Sequence, residues 1–160
     1  MKYSAIAIAN AFIEEANNGK TNNLTPMKLQ KLMFFTQSWY VKSNYEILFD
    51  GYFERWQYGP VLPEIYHEFK KFGSKEIHQY GTSIWNEFGR INTNDYQVKE
   101  FDKIDTNDYQ VNEFLKKILD TYGVYTGTEL SWMTHQPETA WYNGQLGTVI
   151  NLQDMIDGKV

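Results

Sequence analysis

Residues 25–41, TPMKLQKLMFFTQSWYV, constrain the fold more than any other stretch. Thr25 can accept a hydrogen bond at an N-cap, and Pro26 suits the first helical position, where its missing N–H is no loss. Leu29, Leu32, Met33, Thr36 and Tyr40 then recur at helical spacing and form one stripe. Phe34, Phe35 and Trp39 add apolar surface outside it. A helix apolar over so much of its circumference needs neighbours on most sides, so the pattern predicts a central helix.

The remaining elements follow from local signals. Ser4 can cap a first helix over about residues 5–17, with Ile6, Ala9, Ile13 and Ala16 on one face and Gly19 beyond its end. Asp50-Gly51, flanked by partly alternating apolar residues, predicts the turn of a short hairpin or ribbon over 46–58. Pro63 opens a further helix and Gly73 closes it. Residues 74–93 are irregular by pattern, with one short strand predicted within 81–90. Near the C-terminus, Thr128 is expected to cap a short helix running through His135. Pro137 begins a turn containing Trp141, and Asn151 caps a last helix near residues 152–156.

Residues 91–116 hold a tandem repeat. INTNDYQVKEFDK (91–103) is followed by IDTNDYQVNEFLK (104–116), identical at ten of thirteen positions. A thirteen-residue step rotates a helix by about 220°, so the copies cannot share one face of a straight helix. Only the second continues into a strong stripe: Val111, Phe114, Leu115, Ile118, Leu119 and Tyr122. It is read as a core helix over about 108–122, ended by Gly123, and the first copy as a duplicated surface segment. Two copies are too few for a solenoid. The whole is read as mainly α: one compact domain over 1–160, of five to seven helices, with a small β-hairpin or ribbon.

Charge narrows the function. The net charge of −5 argues against a general nucleic-acid binder, which needs clustered Lys and Arg to neutralise phosphates. The nearest approaches to a basic run, Lys28/Lys31 and Lys70/Lys71/Lys75, are read as solvated helix faces. No cysteine is present, which removes disulfides, thiolate catalysis and Cys-based zinc sites. The apolar run 5–13 is too short for a membrane span and reads as an amphipathic helix, not a signal peptide. A cytoplasmic protein with no membrane association is expected.

Searching for chemistry turns up little. His67, His78 and His135 lack ligand spacing, so no metal site is expected. There is no Gly-rich phosphate loop and no nucleophile elbow. No cofactor and no catalytic residue are predicted, and the chain is not read as an enzyme. The Pro-x-x-Pro string at 60–63 is better explained as framing a helix start. His135 falls at a helix end, where an imidazole can satisfy free carbonyls; a contact to a partner is the alternative.

Three stretches together resemble the Panacea domain, the SocA-like, phage-associated antitoxin family. These are LTPMKLQKLMFFTQSWY (24–40), FERWQYGPVLPEIYHEFKKFG (53–73) and YGVYTGTELSWMTHQPETAW (122–141). They match the Pro-Met-Lys-Leu-Gln-Lys-Leu helix, the Trp-x-x-Gly-Pro-Val-x-Pro turn and the Leu-Ser-x-x-Thr-His ending near a Trp. The likeness spans most of residues 4–157 and departs at 91–103, where the duplicated segment is extra. It implies a mainly helical antitoxin that neutralises a cognate protein toxin, usually encoded next door, by direct binding. It also implies that such a domain can act as an adaptor to a Clp-type protease.

Two function classes are therefore weighed. A toxin-binding module fits the aromatic excess of 12 Tyr, 10 Phe and 5 Trp, because interface energy concentrates in large rings. Its candidate contacts are Trp56, Tyr58, Gly59, Pro60, Trp132, His135, Trp141 and Tyr142, although each aromatic is individually more typical of a core. At Trp56 and Tyr58 the packing role is preferred, as braces of the corner at Gly59-Pro60. The alternatives are a small ligand-binding protein or enzyme with a pocket near His135 and Trp56, or a DNA-binding regulator in which helix two and the ribbon form a winged-helix-like unit.

Overall fold

The computed structural model describes residues 2–86, 89–92 and 103–160. Helix α2 (Pro26–Asn44) is its hub, with Thr25 as N-cap accepting from the Lys28 N–H. Every residue from Lys28 to Ser38 is buried, and helices α1 (Ala5–Asn17), α3 (Pro63–Phe69), α4 (Tyr109–Tyr122), α5 (Gly127–Thr134) and α6 (Leu152–Asp157) all pack against it. The central position predicted from the apolar pattern is the observed one. Lys28 and Lys31 depart from expectation. They lie on no solvated face and are only 2% and 1% exposed, because a helix covered all round buries its polar positions too. Lys70, Lys71 and Lys75 do face solvent.

The first helix begins as predicted. Ser4 Oγ accepts from the Ala7 N–H, and Asp50 Oδ1 accepts from the Ala5 N–H at 2.9 Å. Asp50 is thus a cap of α1, not part of a hairpin turn. The turn lies seven residues later, at Gln57-Tyr58, between β1 (Phe53–Trp56) and β2 (Gly59–Val61). These strands pair antiparallel, Glu54 opposite Val61 and Trp56 opposite Gly59, and β5 (Val149–Ile150) pairs on the other edge of β1. Gly59 has φ +112°, a geometry that side-chain-bearing residues rarely adopt, and it allows the tight return.

Downstream, Pro63 opens α3, a 3-10 turn extends it through Phe72, and Gly73 stops it at φ +60°. A second hairpin pairs β3 (Ser83–Asn86) with β4 (Gly89–Asn92), so the strand expected within 81–90 has a partner beyond it. The first repeat copy lies almost entirely outside the described residues. The second forms α4, capped by Asp108, with Val111, Leu115, Ile118 and Leu119 buried. The N-cap of α5 lies two residues before the expected one: Thr126, not Thr128, accepts from the Glu129 N–H while Glu129 accepts from the Thr126 N–H. The Thr-x-x-Glu spacing that makes this reciprocal box is present only from Thr126. Asn151 caps α6 as expected, with Asp154 completing a second box.

Arg55 fastens the C-terminal segment to the sheet. Its side chain, on a residue 4% exposed, donates to the carbonyl oxygens of Ala140 (2.9 Å), Trp141 (3.1 Å) and Val149 (2.9 Å), to Thr148 Oγ1 (2.9 Å) and to Asp154 Oδ2 (3.3 Å). A planar group with five donors suits this position, where several carbonyls converge. The described architecture is mainly helical, with five α-helices packed on α2 and a small antiparallel sheet against α2 and α5. No helix among the described residues is long and apolar enough to cross a membrane.

Candidate functional site

The eight residues singled out from the sequence come from two segments about 75 positions apart, and the fold brings the segments together. The β1–β2 hairpin lies against α5 and the turns that follow it, and side chains from α2, α5 and those turns hold the hairpin by its backbone carbonyls. Trp141 Nε1–H donates to the Trp56 oxygen at 2.8 Å. His135 Nε2 faces the Gln57 oxygen at 2.9 Å, and Ser131 Oγ–H donates to the Tyr58 oxygen at 2.6 Å. From below, Lys31 Nζ donates to the Pro60 oxygen at 3.2 Å. Gln30 grips Leu62 twice, donating to its oxygen at 3.1 Å and accepting from its N–H at 2.8 Å.

His135 does what a helix-end imidazole was expected to do. Its Nδ1 lies 2.6 Å from the Ser131 carbonyl, within the last turn of α5, while Nε2 reaches the hairpin. The ring also packs on Trp141, with centroids 4.0 Å apart. Trp56 packs edge-on against Tyr66, centroids 4.9 Å apart, and its Nε1–H donates to Glu54. The corner is therefore braced mainly through its carbonyls. The Tyr58 ring takes no part in that bracing.

Three of the aromatics are far from core positions. Trp132 is 66% exposed, Tyr58 61% and Tyr142 53%, whereas Trp56 and Trp141 are half-buried. Beneath them Gly59 and Pro60 are buried. A Cβ on Gly59 would sit 2.7 Å from Thr134 Oγ1 and 2.8 Å from Lys31 Cε, so α2, α5 and the hairpin meet at this glycine. The result is a backbone platform fastened at five carbonyls and carrying large rings in solvent.

Sequence reasoning missed the groups beneath the platform. Gln30 and Lys31 were legible in principle, since polar residues on a helix apolar all round must be buried with it. Burial pushes the Lys31 ammonium down to about 7. On the flank, the Glu64 carboxyl lies over Gly51, where a Cβ would be 2.6 Å from its Oε1. Burial, then the Asp50 charge, pushes it up to about 7.

Other expectations can be placed as well. A cavity of about 1000 Å³ opens between α1 and α4, lined by Phe12, Glu14, Leu115 and Lys116 among others, and not by His135 or Trp56. His67 contacts the Tyr66 ring and His78 pairs with Glu76 at the surface, both apart from His135. Among the described residues no group of three or more His, Asp or Glu is placed to hold a metal. Helix α2, buried from Lys28 to Ser38, has no open face there to enter a nucleic-acid groove.

Comparison with known proteins supplies the remaining context. The family described as antitoxin SocA-like, Panacea domain, matches residues 29–142, a span holding all eight residues above. Antitoxin SocA of Caulobacter vibrioides (strain NA1000 / CB15N) is 33% identical over 73 residues, 46% of this chain and 38% of that protein. The match thus spans well under half of the curated relative's length. No solved structure matches the chain.

Proposed function

The chain belongs to the antitoxin SocA-like, Panacea domain family, and we propose that it is the antitoxin of a toxin–antitoxin pair, neutralising a cognate protein toxin by direct binding. The toxin is encoded by a neighbouring gene, and the binding surface is the hairpin platform with the adjoining face of α5. The observation that carries this reading is the pairing of a backbone held at five carbonyls with exposed Tyr58, Trp132 and Tyr142. A surface ordered before binding loses little entropy on association, and exposed Trp and Tyr are the side chains that anchor interfaces. Delivery of the bound toxin to a Clp-type protease is a compatible second step and needs no catalytic group in this chain.

Co-expression with the neighbouring gene tests the proposal. The neighbour should arrest growth by itself, be harmless beside this chain, and co-purify with it. The double variant Tyr58→Ala/Trp132→Ala should stay folded yet lose rescue and complex. A harmless neighbour with no complex would refute the antitoxin reading. A toxic neighbour still neutralised by the double variant would move the interface elsewhere.

A further inference from the structure

Lys31 is the least compensated buried charge among the described residues. Its hydrogen-bond partner is the Pro60 carbonyl oxygen at 3.2 Å, and no carboxylate lies within ion-pair distance of it. Lys28, three residues earlier and equally buried, differs: its ammonium donates to both Asn22 (2.7 Å) and Gly123 (2.6 Å) carbonyls and feels the Glu129 charge. An ammonium has three donors, so one bond leaves Lys31 with unmatched N–H groups as well as an unpaired charge. The neutral amine fits the same space with fewer unmet demands.

The hairpin lies over this group. The Lys31 stem lies under the hairpin: a Cβ on Gly59 would be 2.8 Å from its Cε and 3.5 Å from its Nζ, and the bonded carbonyl belongs to the next residue. Lifting Gly59-Pro60, which sit just after the exposed turn Gln57-Tyr58, therefore uncovers the ammonium to water.

We propose that Lys31 is a proton-sensitive latch for the hairpin, holding it seated when the amine is neutral and releasing it more readily when the ammonium forms. As regulation of toxin binding, this rests on the hairpin being the partner surface. The titratable groups on the elements around it are engaged elsewhere. Lys28 holds its two carbonyls, and Glu129 closes the α5 capping box. His135 spans Ser131 and Gln57, Glu54 receives the Trp56 N–H, Arg55 turns to the C-terminal segment, and Glu64 lies over Gly51. The depressed value of about 7 for Lys31, set by burial, places the transition just at neutrality. A lifted hairpin returns the lysine to its ordinary range, so opening is constant below about pH 7 and declines as pH rises above it.

Hydrogen exchange on the isolated chain tests this without any partner. Protection factors for hairpin amides 55–62 and for α1 core amides are measured from about pH 6 to 9.5, corrected for intrinsic exchange rates. Hairpin protection should be flat below about pH 7 and rise by up to about tenfold per pH unit above it, while α1 changes less. Lys31→Met should give high protection with no such rise. A flat wild-type profile overturns the latch, and so does a slope retained in Lys31→Met. Protection in α1 moving in step with the hairpin would mean that Lys31 ionises only on global unfolding, which also overturns it. The wild-type profile and the α1 comparison decide the matter even if the variant fails to fold. Loss of toxin binding in the co-expression test would leave the latch untouched, and a failed latch would leave the antitoxin reading to its own test.

Discussion

The Trp141 indole donates its Nε1–H to the carbonyl oxygen of Trp56 at 2.8 Å, tying the turns after α5 to the last residue of β1. The same ring packs on His135, which itself faces the neighbouring carbonyl of Gln57. Two adjacent hairpin carbonyls thus depend on one small stack. Trp141→Phe keeps an aromatic ring there and removes the donor. The expected loss is about 1 kcal/mol, that of one hydrogen bond, read from urea denaturation. A variant as stable as the wild type would show that this bond does not help seat the hairpin.

Arg55 carries a larger share of the same junction. Arg55→Met retains an apolar stem but removes the donors of three backbone carbonyls and the partner of Asp154. Breaking such a buried constellation typically costs about 3–5 kcal/mol. Cleavage within residues 143–149 by a broad-specificity protease should accelerate along with the fall in stability. Stability within about 1 kcal/mol of the wild type would contradict the role given to Arg55.

Two glycines separate backbone strain from packing. Gly19→Ala changes a residue at φ +78° with nothing within 4 Å, so only the left-handed backbone opposes it, at about 1 kcal/mol. Gly59→Ala adds collisions with Thr134 and Lys31 at φ +112° and should cost about 2–4 kcal/mol. Thermal or urea unfolding of the two variants side by side checks the difference. Equal losses would mean that the hairpin can shift away from α2 and α5 without penalty.

Glu64 should give stability a distinctive pH dependence. Its folded carboxyl, at about 7, lies above its ordinary value of 4.5, so the folded state binds more protons than the unfolded one between them. Stability is then highest below that window and falls as pH rises through it. Asp108, Glu129 and Glu138 shift the other way, so their contributions are lost as pH falls, below their ordinary values of 3.8 and 4.5. Urea midpoints from pH 4.5 to 6.5, below the range where Lys31 adds its opposite slope, should therefore decline in the wild type and flatten in Glu64→Gln. An unchanged slope in the variant would assign the dependence to another group.

Much of the scaffold was legible because its signals act over three or four residues. Ser4, Thr25 and Asn151 cap the helices they were expected to cap, and α4 buries the stripe that only the second repeat copy could supply. Where two local signals competed, the reading erred. Asp50-Gly51 has the composition of a hairpin turn, yet the Asp50 carboxylate is taken by the Ala5 N–H, 45 residues away in sequence. Thr128 resembles a cap, but the Glu that completes a box lies three residues after Thr126.

The candidate site was legible as a set of residues and not as a surface. Trp56, Tyr58, Trp132 and Tyr142 look alike in sequence; packing leaves Trp56 half-buried and the other three in solvent. Gln30, Lys31, Ser131, His135 and Trp141 each find a carbonyl between Trp56 and Leu62, at separations of 29 to 85 residues. By itself the sequence determined which segments become helices and that α2 lies at the centre, since capping and apolar periodicity are local properties. Only the tertiary structure decided which carbonyl each buried donor reaches, because hydrogen-bond partners distant in the chain leave no mark on local spacing.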